Sequence, residues 1–393
     1  MKKNRYVILI SGMLIQLCAG IIYMWSVFKK PIATHLNWDE NSAVFTSSIM
    51  LSAFVLGIIF GGRLQDKIGP KKITLAGSLM ISLGMISTAF VPASAPWLLY
   101  LTYGVAGGFG VGFVYTCTIA TIQKWFPDKR GFATGMIVSA FGFSMVLFAP
   151  AARALLGSLG VKNTFLVFGF SFLIICCACS FFIERPEGTT AAVPAAASSQ
   201  KQFTTAEMLR TNQFYLIAGS MLFLLPAYFI LNPLLMTLGE ARNLPENIAV
   251  FAVMITGICS AAGRLIISWM SDKTGFKTAL LLIGSLTLCG SLCMSFAQGV
   301  FFLVCVAVIA FAFGGSSGLY AAVTASKFGT KNAGMNFGCV MLAFGISALL
   351  SPAAAGMLPG ENHTSAFILA AITAAVSIVL MLMIKTVNPA KNK

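Results

Sequence analysis

Arg264 is a basic residue set deep inside an apolar stretch, residues 248–271, with Gly263 before it and Leu265, Ile266 and Ile267 after it. Placing an arginine at such a depth costs roughly 2.5–3.5 kcal/mol on insertion scales. A planar, permanently charged fork facing a water-filled cavity is suited to bidentate capture of a carboxylate. The alternative is a structural arginine that snorkels toward the nearer surface or bonds backbone carbonyls. Neutral donors that could complete an anion site are Tyr23, Trp25 and Ser26, Tyr115 and Thr116, Tyr228 and Asn232, Ser260 one turn before Arg264, and Tyr320. Tyrosine and tryptophan offer an apolar face with a hydrogen-bonding tip, and the same residues also serve as packing or interfacial anchors. Tyr115 is the strongest of them, because the glycine-rich run before it opens space.

The chemistry excluded is equally informative. All eleven acids lie in loops or at helix ends, and neither His35 nor His363 falls inside an apolar stretch. No Ser/His/Asp set, carboxylate pair or metal cluster can then form within the apolar part, so the chain is not expected to be an enzyme or to need a cofactor or metal. The ten cysteines all fall in apolar stretches, where cysteine behaves as a small hydrophobe.

A second motif has a mechanical character. Gly62-x3-Asp66-Lys67-x-Gly69-x-Lys71-Lys72 joins two apolar stretches, and Asp272-Lys273-x-Gly275 echoes it later. A carboxylate at a helix end can cap a neighbouring helix and pair with basic residues. Gly62, Asp66, Lys67, Gly69, Asp272 and Gly275 are therefore expected to form a latch that holds one conformation closed.

The elements that must position these residues follow from hydropathy. Of 393 residues 58% are hydrophobic and 9% charged, far below the roughly 25% charged of a soluble domain, so lipid is the main solvent. Twelve stretches approach the roughly 20 apolar residues a spanning helix needs: 6–28, 44–62, 73–92, 97–122, 132–156, 163–183, 213–236, 248–271, 277–297, 299–325, 334–358 and 364–385. The first is too long for the core of a signal peptide and is read as a helix. With the N-terminus on the cytoplasmic side, 20 of the 26 basic residues fall inside and five, including Lys29 and Lys30, outside. That is the positive-inside bias, which places both termini in the cytoplasm. It also accounts for the +15 net charge without nucleic acid as a partner.

The polar stretch Glu184–Asn212 divides the chain into an N-terminal six-helix half, 1–185, a cytoplasmic linker, 186–212, and a C-terminal six-helix half, 213–393. The halves repeat. Gly131, Gly135 and Ala140-Phe141-Gly142 recur 203 residues later as Gly334, Gly338 and Ala343-Phe344-Gly345. A parallel duplication gives a pseudo-two-fold axis along the membrane normal, with a substrate between the halves near midplane. The glycine-rich runs Gly104–Gly112 and Gly314–Gly318 are read as close helix packing.

The Asp66 loop and its echo resemble the signature of the major facilitator superfamily. More narrowly, the chain is similar to the oxalate/formate antiporter family, itself similar to monocarboxylate transporters. The carrying stretches are Tyr23-Met-Trp25-Ser26-Val-Phe28, Lys124-Trp-Phe-Pro-Asp-Lys-Arg-Gly131, Glu207-Met-Leu-Arg-Thr-Asn-Gln-Phe-Tyr215, and Gly263-Arg264 with Trp269-Met-Ser-Asp272. The resemblance implies twelve transmembrane helices in an all-α membrane protein, with Arg264 binding the substrate carboxylate and Tyr115 in the pocket. Two departures bear on substrate. The exchanger's second cation, a lysine, falls at Phe344, so one positive charge faces the ligand and a monocarboxylate is favoured over oxalate. An acid one turn before the arginine in animal monocarboxylate transporters is Ser260 here, which leaves the route of any cotransported proton open.

The expectation is a secondary transporter of lactate-, pyruvate- or formate-type anions by alternating access, proton-coupled, working as a monomer in the inner membrane. Arg264 would neutralise the anion, Tyr115 and Ser260 donate to it, and Phe141 and Phe344 wall it, with Tyr23, Tyr320 and Asn232 as further candidates. An oxalate/formate-type exchanger is the alternative.

Overall fold

The computed structural model describes residues 4–126, 130–186, 202–242, 244–329, 333–358 and 363–384. Every described segment that the hydropathy marks as apolar is helical. The first crossing is α1 (Arg5–Ala19), a 3-10 turn at Gly20–Tyr23 and α2 (Trp25–His35). Its helix thus runs past the apolar stretch, through Lys29, Lys30 and Pro31, because the two lysines find partners described below. Then come α3 (Glu40–Ile68), α4 (Pro70–Thr88), a π-helical turn at Tyr100–Gly107 leading into α5 (Gly108–Trp125), and α6 (Arg130–Ser180). After the short α7 (Thr205–Leu209) follow α8 (Asn212–Leu224), α9 (Pro226–Ala241), α10 (Glu246–Thr274), α11 (Phe276–Met294), α12 (Gly299–Phe328), α13 (Ala333–Gly356) and α14 (Thr364–Met383).

Ten segments among the described residues are helices long and apolar enough to cross a membrane. One of them, Ala133–Ser180, has 48 residues, about 70 Å of helix against a hydrocarbon core of about 30 Å. It reverses at Gly160, whose φ of 73° a side chain would resist, and so makes two crossings. Pro70–Thr88, opened by Pro-Lys-Lys, supplies the remaining helix by position.

Helix ends are set by local chemistry. Asn4 and Asp39 accept from Tyr6 N and Ser42 N, and Thr204 with Glu207 forms a capping box on α7. The two echoed loops end their helices alike: Gly69 has φ 93° and ψ 152°, Gly275 φ 86° and ψ 152°, and each donates its N–H to the carbonyl four residues back. Only glycine holds that conformation without strain, which explains its place in both loops. The side chains of Asp66 and Asp272 lie outside the described residues, so the latch expected of them is neither built nor broken here. Gly62 and Lys67 sit in the last turns of α3, and Lys67 is exposed.

The first six crossings pack chiefly on one another, as do the last six. Small residues set the closeness: a Cβ on Gly112 would strike Gly57, and one on Gly314 would strike the Ser260 carbonyl. Between the two groups run three seams, α6 against α10, α3 against α13, and α2 against α9. After α6, Glu184 pairs with Lys71 at 2.8 Å and its carbonyl accepts from Trp125 Nε1. Before α8, Phe203 N donates to Phe328 O and Asn336 Nδ2 to Phe203 O. The polar stretch Glu184–Asn212 is therefore fastened near its two ends to different groups.

Candidate functional site

Arg264 sits about two-thirds of the way along α10 on the α6–α10 seam, 6% exposed. Gly142, on α6, leaves room for it; a Cβ there would lie 2.5 Å from Nη1. Nη1 donates to the Val138 carbonyl at 3.3 Å and Nε to Ser317 Oγ at 3.4 Å. Both bonds are long and both acceptors neutral. Its Cζ lies 5.7 Å from the centroid of the Phe141 ring. None of the ion pairs among the described residues involves Arg264. The carbonyl-bonded alternative thus holds in part, yet a guanidinium has five donors and no carboxylate here meets them.

Phe141 belongs to an aromatic cluster drawn from both groups. Phe141 contacts Tyr23 at 5.4 Å and Tyr115 at 5.2 Å between ring centroids. Tyr23 reaches across to Tyr228 at 6.0 Å and Phe313 at 5.8 Å, and these two stack at 3.6 Å. Phe344 joins Phe54, Phe229 and Phe313. Tyr115 and Tyr228 both lie in the electrostatic field of Arg264. Edge-to-face and offset rings like these form a dense apolar wall.

Several polar groups in this part of the protein are buried and unpaired. The Ser144 and Ser260 hydroxyls and both amide atoms of Asn232 have no hydrogen-bond partner. The Tyr228 hydroxyl is likewise buried without a partner. Each such group is destabilising by about 1–3 kcal/mol, an arrangement that suits a site whose ligand supplies the partners. Ser260 backs onto Gly314, and Asn232 is one turn from Tyr228 on α9. Tyr320 is placed differently: its hydroxyl shares a 3.0 Å hydrogen bond with Ser220, inside the second group.

The α2–α9 seam closes the end of the bundle away from the termini. Lys29 is 2% exposed, donates to Thr237 Oγ1 across the seam at 2.7 Å and pairs with Glu40 at 3.3 Å. Lys30 pairs across it with Glu240 at 2.7 Å. The sequence reading put both lysines in a solvent loop; Lys29 is instead a second buried cation, held there by those two partners. Toward the other end, Ser52 Oγ donates to the Gly345 carbonyl and Arg63 reaches Met335.

Phe54, Phe229, Phe313 and Ser317 escaped the sequence reading. One phenylalanine of 33 carries no mark, although Phe313 precedes Gly314-Gly315 as Phe141 precedes Gly142.

A sequence profile of the Major Facilitator Superfamily matches residues 8–352 and 227–393. The chain is similar to the oxalate:formate antiporter of Oxalobacter formigenes, 27% identical over 389 residues covering 96% of this chain and 90% of that protein. It is also similar to an uncharacterised MFS-type transporter of Escherichia coli strain K12, YhjX, 25% identical over 88% of this chain and 87% of that one. Monocarboxylate transporter 13 of Rattus norvegicus is 26% identical over 89% and 82%.

Proposed function

The chain belongs to the Major Facilitator Superfamily, and from that premise we propose that it is a secondary transporter of small organic monocarboxylates working by alternating access. The observation that carries this reading is Arg264: a buried guanidinium on a seam, bonded to neutral acceptors and resting on the Phe141 ring, which belongs to an aromatic cluster drawn from both groups. A carboxylate seated on it leaves a neutral site, ringed by apolar surface that excludes water and strengthens the pair. The unpaired hydroxyls of Tyr228 and Ser260, with Tyr23 and Tyr115, supply neutral donors nearby.

In this reading the first and last six crossings rock about the site as rigid bodies, with both termini in the cytoplasm and the chain acting as a monomer. Parting of α2 from α9 admits the anion from outside and breaks Lys29–Thr237 and Lys30–Glu240. A carboxylate moving with its proton needs no acid on the protein, so proton symport fits the absence of acids within the apolar stretches.

Exchange is the second reading. Returning empty would carry a bare guanidinium through an apolar seam, which disfavours the unloaded return, and a relative named as an antiporter covers 96% of the chain. Uptake into proteoliposomes separates the two. Symport responds to an imposed pH gradient; exchange ignores it and needs an anion inside. In either case Arg264→Ala abolishes lactate, pyruvate or formate flux, and wild-type-like flux in that variant would falsify the proposal.

A further inference from the structure

Between the aromatic cluster and the lysines of the α2–α9 seam, both helices bury polar groups that nothing described in the protein answers. Asn232 follows Tyr228 by four residues and Phe229 by three, so it shares a helix face with both rings. Those rings meet Tyr23, Phe313 and Phe344. Asn232 therefore stands one turn beyond the cluster, about 6 Å toward the Thr237 end of α9. Ser26 holds the matching place on α2. It lies three residues after Tyr23, which meets Tyr228, and one turn before Lys29 and Lys30, which meet Thr237 and Glu240. The face of α2 that carries it is thus the face that meets α9. Asn232 is 1% exposed and Ser26 2%. Neither polar atom of the Asn232 amide has a hydrogen-bond partner among the described residues, nor do the hydroxyls of Ser26 and Tyr228.

These groups are donors and acceptors, none of them charged. Their neighbours Val27, Phe28, Ile230 and Leu231 are buried and apolar. Lys29 enters one turn higher, already engaged by Thr237 and Glu40. An anion beside Asn232 would face the lone pairs of Oδ1 and would lose its water with the Lys29 ammonium already paired. An un-ionised carboxyl group is the opposite case. It offers an O–H and a C=O side by side in one plane, and the amide offers a C=O and an N–H in the same arrangement. The acid O–H donates to Asn232 Oδ1 while Asn232 Nδ2 donates to the acid carbonyl, so two bonds satisfy both orphaned atoms at once. Apolar surroundings themselves favour the un-ionised form.

We propose that Asn232, with Ser26 and Tyr228 beside it, forms a site for the un-ionised carboxyl group of the substrate, distinct from Arg264 and on the Lys29 side of the ring cluster. The inference rests on the monocarboxylate reading above and names the form in which the acid passes this layer. No proton is transferred there: the acid keeps it on the oxygen that donates to Asn232 Oδ1.

Lactamide carries the same planar pair of acceptor and donor and cannot ionise, whereas methyl lactate keeps the carbonyl and lacks the donor. Thermal unfolding of the purified full chain in detergent, with lactate, lactamide or methyl lactate added, tests the site. Lactamide should raise the melting temperature of the wild type and of Arg264→Ala alike, and methyl lactate should raise neither. Asn232→Leu removes the unpaired polar atoms at similar volume and should be at least as stable as the wild type without ligand. In that variant lactamide should bind about tenfold more weakly, the loss of a pair of hydrogen bonds, with the response to lactate retained. A lactamide shift of the same size in Asn232→Leu overturns the proposal, as does one that methyl lactate matches. So does a wild type that lactate stabilises through Arg264 and lactamide leaves unchanged, in which case the transport reading stands without this site. Lactate that neither stabilises the wild type nor enters proteoliposomes defeats the transport reading itself, and this site with it.

Discussion

The guanidinium carbon of Arg264 lies 5.7 Å from the centre of the Phe141 ring, so the charge on α10 rests against an aromatic face supplied by α6. The contact crosses a seam that shifts in the proposed transport cycle, and the same nitrogen atoms are those a carboxylate would claim. In the proposed mechanism Arg264 is therefore both the anchor for an anion and a tie between the two groups.

Removing the ring should weaken anion capture. A desolvated cation–π contact contributes about 2 kcal/mol, or up to roughly 30-fold in affinity. Phe141→Leu should raise the KM for uptake by about tenfold or more, and Phe141→Trp should keep it near wild type. An unchanged KM in the leucine variant means the ring is packing alone.

Substrate class should be switchable at Phe344. It packs against Phe54, Phe229 and Phe313, so a lysine there places a second cation at the ring cluster. Phe344→Lys should gain thermal stabilisation by oxalate that the wild type lacks. Stabilisation by oxalate equal in both proteins removes the single-charge argument for a monocarboxylate.

The two seam lysines should differ in weight. Lys30–Glu240 is exposed, and such pairs are worth about 0–1 kcal/mol; Lys30→Glu should change exchange of the α2 and α9 amides by no more than about fivefold. Lys29 is buried against Thr237, and Lys29→Met should speed exchange in both helices more than Lys30→Glu does. Hydrogen-exchange mass spectrometry of residues 25–35 and 226–241 gives the ranking directly.

Tight packing at glycine is checkable by adding one carbon. A Cβ on Gly314 would run into the Ser260 carbonyl, whereas one on Gly356 meets nothing within 4 Å. Overpacking costs about 1–3 kcal/mol, so Gly314→Ala should lower the melting temperature clearly and Gly356→Ala hardly at all.

His363 should give stability a pH dependence. Burial, with Lys29 and Arg242 nearby, holds its pKa below the ordinary 6.5. The folded protein then favours the neutral ring, and below about pH 6.5 the unfolded chain binds a proton that the folded one refuses. Stability should fall as pH drops through that range. His363→Asn, which tolerates the left-handed backbone there (φ 53°), should flatten the slope; a slope identical in the two proteins assigns it elsewhere.

Much of this was legible before the fold. Arg264 is conspicuous because charge is costly in lipid, and the helices because apolar runs have few other solutions. The echoed loops marked Gly69 and Gly275 as equivalent positions, and the two share one backbone conformation. Ring partners were not legible, since 33 phenylalanines look alike until helices face one another. Nor was the burial of Lys29: hydropathy ends a helix where lysines begin, and cannot see Thr237 and Glu40 waiting for one of them. Tyr320 shows the converse, a suitable residue type engaged by Ser220 instead.

The sealed α2–α9 seam also governs what an affinity measurement would mean. With Lys29 and Lys30 bonded across it, an anion arriving on that side meets only the fraction of molecules whose seam has parted. The apparent dissociation constant is the intrinsic one divided by that fraction, so a mouth open about one time in a hundred makes binding look about a hundredfold weaker than Arg264 itself provides. Variants that loosen the seam would then seem to bind more tightly without touching the substrate at all.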